Sequence, residues 1–208
     1  MNLFSIYSSM QELLQKTLIK PISFNGIGLH SGVISQIKIL PAGEDEGIKF
    51  KRVDLKENNI IEANFKNVSS AKLCTTLSNS FGTEVSTVEH LMAAFYITGI
   101  DNAIVEVNNK EIPIMDGSSK DFINIINQAG IKNLNKKRKF LKILKKFEIK
   151  ENNKIISIEP CTSGLEVSFE LKYQNKIIGN QKNKVKFNEK NLEDIYSSRT
   201  FCLYEDIE

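Results

Sequence analysis

The chain has 208 residues, 41% hydrophobic and 25% charged, with 28 basic and 25 acidic side chains giving a net charge of +3. That length fits one large or two small domains of an ordinary soluble globular protein, and the charge is too small to demand a nucleic-acid partner. Three cysteines, odd in number and without C-x-x-C spacing, argue against a disulfide framework or a cysteine-only zinc knot and suit a reducing cytoplasm.

The longest uncharged apolar run, near residues 91–100, is far short of the roughly 20 residues of a membrane span. Residues 1–15 hold Leu3, Phe4, Ile6 and Tyr7 but no lysine or arginine, so they lack the basic flank of a signal or transit peptide. Residues 1–16 are read as an N-terminal extension, with Met10 as an alternative start. Residues 17–24 and 33–40 read as strands, the second through the alternation Gln36, Ile37, Lys38, Ile39. Gly26 and Gly28 punctuate the connection between them. A lone G-x-G is a weak nucleotide-loop signal and no helix follows it, so these glycines are read as turn formers that permit φ > 0.

Further strands are expected at 47–52, 60–63, 71–77 and 103–107. The S-x-x-E spacing of Ser86 and Glu89 predicts a capping box at the start of a helix whose apolar stripe is Val88, Leu91, Met92 and Phe95. A second helix is expected after the Asp116-Gly117 turn, capped by Ser118 or Ser119. Phe122, Ile123, Ile125 and Ile126 would face inward and Gly130 would be the C-cap. Strands followed by these helices predict a two-layer α/β or α+β domain over residues 17–133, within a chain of α+β class.

The polar segment 132–139 is read as a linker to a second, partial domain at 134–208. Eight basic residues crowd positions 132–146; a solvated linker and strand edge is one reading, attraction to an anionic surface the other. Segments 142–149, 154–159 and 165–171 alternate apolar with polar residues, as antiparallel strands with one buried face do. Residues 180–186 are read as an exposed loop and 191–198 as a short helix, followed by an extended Arg199-Thr200-Phe201. This stretch is too short to close a core like that of the first domain.

The chain has two histidines, His30 and His90. Glu89 beside His90 has two readings: a capping box with an ordinary surface imidazole, or a base next to a metal ligand. In the first helical turn the positive end of the helix dipole disfavours imidazolium, and neutral imidazole is the form a metal needs. Neighbouring helical side chains diverge by about 100°, so Glu89 would reach a metal-bound water without being a ligand. His30 reads as structural or as a pocket hydrogen-bonder, Cys74 as a buried small side chain, and Asp116 as a turn residue.

Six segments occur together and in order: Gly26-Ile27-Gly28-Leu29-His30-Ser31-Gly32, Leu73-Cys74-Thr75-Thr76, Ser86-Thr87-Val88-Glu89-His90-Leu91, Gly99-Ile100-Asp101-Asn102, Glu111-Ile112-Pro113-Ile114-Met115-Asp116-Gly117-Ser118 and Ser198-Arg199-Thr200-Phe201. Their order and spacing resemble the UDP-3-O-acyl-N-acetylglucosamine deacetylases, zinc enzymes of lipid A biosynthesis, across residues 17–208. The resemblance implies two similar domains, each a sheet layered on helices, with the site between them and the second incomplete here. It implies a single catalytic Zn2+ with His90 as a ligand, Glu89 as general base and Thr200 as a stabiliser of the tetrahedral oxyanion. Leu73, Cys74 and Phe201 would line the substrate pocket.

A UDP-linked acylated amino sugar would be the partner of a cytoplasmic monomer that needs neither nucleic acid nor an integral membrane segment. The family's remaining zinc ligands, in an H-K-x-x-D motif, and a later histidine have no counterpart in these 208 residues. A C-terminally truncated member is therefore expected, one that by itself binds zinc poorly and turns over little. The alternative is a non-catalytic fragment, or a remnant that holds a sugar nucleotide or an acyl chain.

Overall fold

A computed structural model describes residues 13–162, 164–187 and 190–201. Most of the expected extension (residues 1–12) and Cys202 lie outside the described residues. The chain divides into two compact units, Leu14–Arg138 with the segment from Glu193 onward, and Lys139–Leu192.

The larger unit contains β1 (Leu14–Leu18), β2 (Ile22–Ile27), β3 (Ile34–Pro41), β4 (Ile48–Arg52), β5 (Ile60–Glu62), β6 (Val68–Ser70), β7 (Thr76–Ser78) and β8 (Glu84–Val85), followed by helix α1 (Glu89–Thr98), β9 (Ala103–Val107), helix α2 (Lys120–Ala129) and β10 (Ile131–Lys137). It is a mixed α+β fold. Five strands form one sheet in the order β2-β3-β9-β4-β5, with only the β4–β9 pair parallel. Alternation in β3 puts Ser35, Ile37 and Ile39 inside, as the Gln36–Ile39 pattern predicts. Ile37 and Ile39 meet Val105, Val107, Phe50 and Ile61 from the same sheet and Leu91, Phe95, Phe122 and Ile126 from α1 and α2 in one core. α1 packs on α2, and Phe24 of β2 meets Phe122 edge to face at 5.8 Å, a favoured aromatic geometry.

Several expectations are corrected. The strand predicted at 17–24 is two strands, because the chain breaks at Ile19–Pro21 and proline has no N–H to donate to a ladder. Leu14–Lys16, read as part of an extension, belong to β1. The linker predicted at 132–139 is mostly β10, paired antiparallel with β1 through Leu18↔Ile131, Thr17↔Lys132 and Leu14↔Lys137. Two of its cations find carboxylates: Lys136 pairs with Asp45, and Arg138 with Asp101 at 2.8 Å. Of the strand predicted at 71–77, only Thr76 and Leu77 pair, within β7; Leu73 sits at φ +64°, outside the extended region.

The smaller unit holds two antiparallel hairpins, β11 (Phe147–Glu151) with β12 (Lys154–Ile158) and β13 (Glu166–Lys172) with β14 (Asn180–Lys186). The loop expected at 180–186 is thus a strand, held by full-length pairing with β13. The register places Phe147, Ile149, Ile156 and Ile158 on one face of the first hairpin. These side chains are exposed by half or more, so the expected buried face is apolar without being covered among the described residues. Helix α3 (Leu192–Tyr196) falls within the predicted 191–198, and the described chain runs on from it to Phe201.

Candidate functional site

The site forms where a loop, a turn and the first residues of α1 converge. The predicted capping box does not form: α1 begins at Glu89, its cap residue is Val88, and no side chain caps it. Ser86 is instead held in a β-bridge with Glu111; its hydroxyl donates to the Lys110 carbonyl at 3.1 Å, and its own carbonyl accepts from the Ile112 N–H at 3.0 Å. With Ser86 occupied, the Glu89 carboxylate turns elsewhere. Its Oε2 accepts from the Thr75 backbone N–H at 3.1 Å, and the half-buried side chain has no other hydrogen-bond partner among the described residues. One carboxylate oxygen is thereby left available beside His90, itself half-buried.

Thr75 belongs to the segment that carries Leu73 and Cys74. Leu73 is 60% exposed, whereas Cys74 is half-buried with its Sγ 3.9 Å from the Thr76 hydroxyl. Cys74 is therefore neither in a strand nor fully buried, contrary to expectation. The Thr75 contact joins this segment to the start of α1, so the position of Leu73 and Cys74 is coupled to that of Glu89.

The segment after α3 reaches the same helix ends through backbone bonds. The Ser119 hydroxyl donates to the His90 carbonyl at 3.0 Å, and the Ser119 N–H to the Tyr196 carbonyl at 3.1 Å. Two residues earlier, the Gly117 carbonyl accepts from the Thr200 N–H at 2.9 Å. Thr200 and Phe201 are exposed, and the Thr200 hydroxyl makes no hydrogen bond among the described residues. Asp116 behaves as the predicted turn residue, its Oδ1 accepting from the Ser118 hydroxyl and N–H. The Ser118 hydroxyl bond outweighs burial, which pushes the carboxyl up, and with the Arg199 guanidinium 3.6 Å away holds it below the usual range.

Under the site lies Glu111, almost fully buried yet ionised. Burial pushes its carboxyl up, but hydrogen bonds from His30, Ser31 and Thr87 outweigh that and hold it below its ordinary 4.5. Oε1 accepts from the His30 N–H at 2.9 Å and the Thr87 hydroxyl at 3.1 Å, and Oε2 from the Ser31 N–H at 2.8 Å. The role expected of the glycine pair changes accordingly, since only Gly32 of this loop has positive φ. Gly28 is required because a Cβ there would lie 2.4 Å from Glu111 Oε2, and Gly26 because one would lie 2.7 Å from Pro113 Cβ. Sequence reading assigned no role to Glu111 or Thr75. A lone acid against the apolar run Ile112-Pro113-Ile114 was the signal for the first; a backbone donor leaves none.

Among the described residues no group of three or more His, Cys, Asp or Glu side chains gathers as a metal site. His90 is a single donor, and protein zinc sites take at least three. The described residues alone therefore do not make up a zinc centre.

The geometry defines an α+β protein with an acid–imidazole pair at a helix start, buttressed by a buried carboxylate. Residues 15–208 match the model of the LpxC family, UDP-3-O-acyl N-acetylglycosamine deacetylase. The chain belongs to this family. It is 40% identical over 195 residues to the UDP-3-O-acyl-N-acetylglucosamine deacetylase of Nautilia profundicola, covering 93% of this chain and 65% of that protein. The enzymes of the same name from Geotalea uraniireducens (40% identical, 93% and 63% covered) and Syntrophus aciditrophicus (36% identical, 93% and 61% covered) are similarly related. The chain thus spans less than two thirds of the length of these relatives.

Proposed function

We propose that this chain carries the general-base half of a zinc-dependent deacetylase that hydrolyses the acetamide of UDP-3-O-acyl-N-acetylglucosamine and releases acetate, in lipid A biosynthesis. The observation that carries this reading is the Glu89 carboxylate, which is spared from helix capping and fixed on one oxygen by Thr75. Its other oxygen takes the proton of the attacking water, and the unpaired Thr200 hydroxyl donates to the oxyanion that develops on the acetamide. His90 is one zinc donor, with the others coming from outside the described residues. Leu73, Cys74 and Phe201 contact the acylated sugar, and the exposure of Leu73 and Phe201 suits a substrate that arrives from solvent. The family's arrangement of two similar layered domains, a monomeric state and a cytoplasmic setting belong to the same proposal.

The test is a chimera in which residues 15–208 replace the matching segment of the Nautilia profundicola relative. Glu89→Ala is expected to lower acetate release about 100- to 10,000-fold, the usual range for a lost general base, with zinc content intact. His90→Ala should lose the zinc. Full activity in Glu89→Ala would sink the assignment. A chimera that binds the substrate and zinc without releasing acetate would favour a non-catalytic binding remnant.

A further inference from the structure

We propose that Glu111 is a positioning residue for the Glu89–His90 pair, acting through the left-handed turn at Thr87. The inference rests on the functional reading above and adds a residue to it.

Thr87 is the last hinge before α1: it has φ +58° and is almost fully buried. For a β-branched residue that backbone conformation is strained and persists only where surrounding contacts over-determine it. Glu111 supplies such contacts. Its Oε1 takes the Thr87 hydroxyl, while its backbone is joined to Ser86 by a β-bridge. The same carboxylate takes the amides of His30 and Ser31, 81 and 80 positions away in sequence. One buried anion therefore pins the loop bearing one of the two histidines to the turn that launches the other.

The anchoring runs deeper on both sides. The Glu111 carbonyl accepts from the Ser35 hydroxyl at 2.6 Å, and its N–H donates to Asn109 Oδ1 at 3.0 Å. Gly28 gives the carboxylate its space. Because α1 carries no side-chain cap, this turn and the Thr75 contact hold the start of α1 on one side, as the Ser119 bond to the His90 carbonyl does on the other. A carboxylate suits the task because all three of its partners donate. A glutamine would set its NH2 against at least one donor and break that link.

The test uses the full 208-residue chain and two variants, Glu111→Gln and Thr87→Val, read by NMR at the Thr75 amide and the His90 imidazole. Thr87→Val removes only the hydroxyl that joins the turn to the carboxylate, keeping shape and β-branching. It is expected to shift or broaden the Thr75 and His90 signals while those of the His30 and Ser31 amides stay in place. Glu111→Gln should move all four. If Thr75 and His90 keep their wild-type signals in both folded variants while thermal stability falls, Glu111 is a structural anchor only and the proposal is overturned. If Glu111→Gln does not fold, Thr87→Val decides alone.

In the chimera either variant is expected to lower kcat about 10- to 100-fold, the scale seen for supporting groups around a reactive centre, with KM little changed. The functional reading can fail separately, through a fully active Glu89→Ala chimera, while the spectral shifts stand.

Discussion

At the scale of single residues, the chain is decided by which groups are already engaged. One oxygen of the Glu89 carboxylate is left without a partner among the described residues because Ser86, its predicted capping partner, is bonded to Lys110 and Ile112. Glu111 shows how a buried charge is kept: hydrogen bonds from three residues, His30, Ser31 and Thr87, hold its carboxyl below 4.5 against the burial that pushes it up. The sign of its pH dependence follows. A group whose folded pKa is depressed stabilises the fold above its unfolded pKa, and loses that contribution as pH falls through the folded value. Acid unfolding of the wild type should therefore include a component below pH 4.5 that Glu111→Gln lacks, measurable as the difference between their denaturant midpoints at neutral pH and in acid. Gly28→Ala puts a methyl 2.4 Å from both Glu111 Oε2 and Ser31 Oγ. A loss of about 1–3 kcal/mol is expected, as for other overpacked sites, and urea denaturation reads it.

At the scale of elements, periodicity was a good guide wherever one face of a strand or helix is buried. β3, β9 and α2 follow their patterns, and Gly130 ends α2 at φ +73° as a C-cap. Phe122, fully buried and stacked edge-on against Phe24, ties α2 to the sheet. Phe122→Ala should cost about 3–5 kcal/mol in equilibrium unfolding. Periodicity failed where pairing, not burial, makes the element. β10 and β14 are lysine- and asparagine-rich and read as linker and loop, yet each is held by a ladder to a strand distant in sequence or across a turn. A polar strand carries no hydrophobic alternation to betray it. The break at Pro21 is legible in the sequence but lies within what otherwise reads as one strand.

At the scale of the whole molecule, the two units differ in what holds them. The larger buries a continuous core from the five-stranded sheet and two helices. The smaller consists of hairpins whose apolar faces stay open: Phe147, Ile149, Ile155, Ile156, Ile158, Val167 and Phe169 are all exposed. Two-stranded hairpins are marginal in water on their own. Amides of β11–β14 should thus exchange with deuterium much faster than those of β3 and β9, as local opening there needs little burial undone. Equal protection in the two units would contradict this account.

What the sequence determined by itself is what depends on local order: the α+β class, both main helices, the amphipathic strands, and a string of motifs specific enough to indicate the family. Those signals survive because residue spacing fixes which side chains share a face, whatever lies opposite. Tertiary structure alone decided that Ser86 bridges to Glu111 instead of capping α1, that Thr75 holds Glu89, and that Gly28 makes room for a buried carboxylate. Each is a contact between segments tens of residues apart or a bond from a backbone amide, and neither leaves a mark in the identity of neighbouring residues.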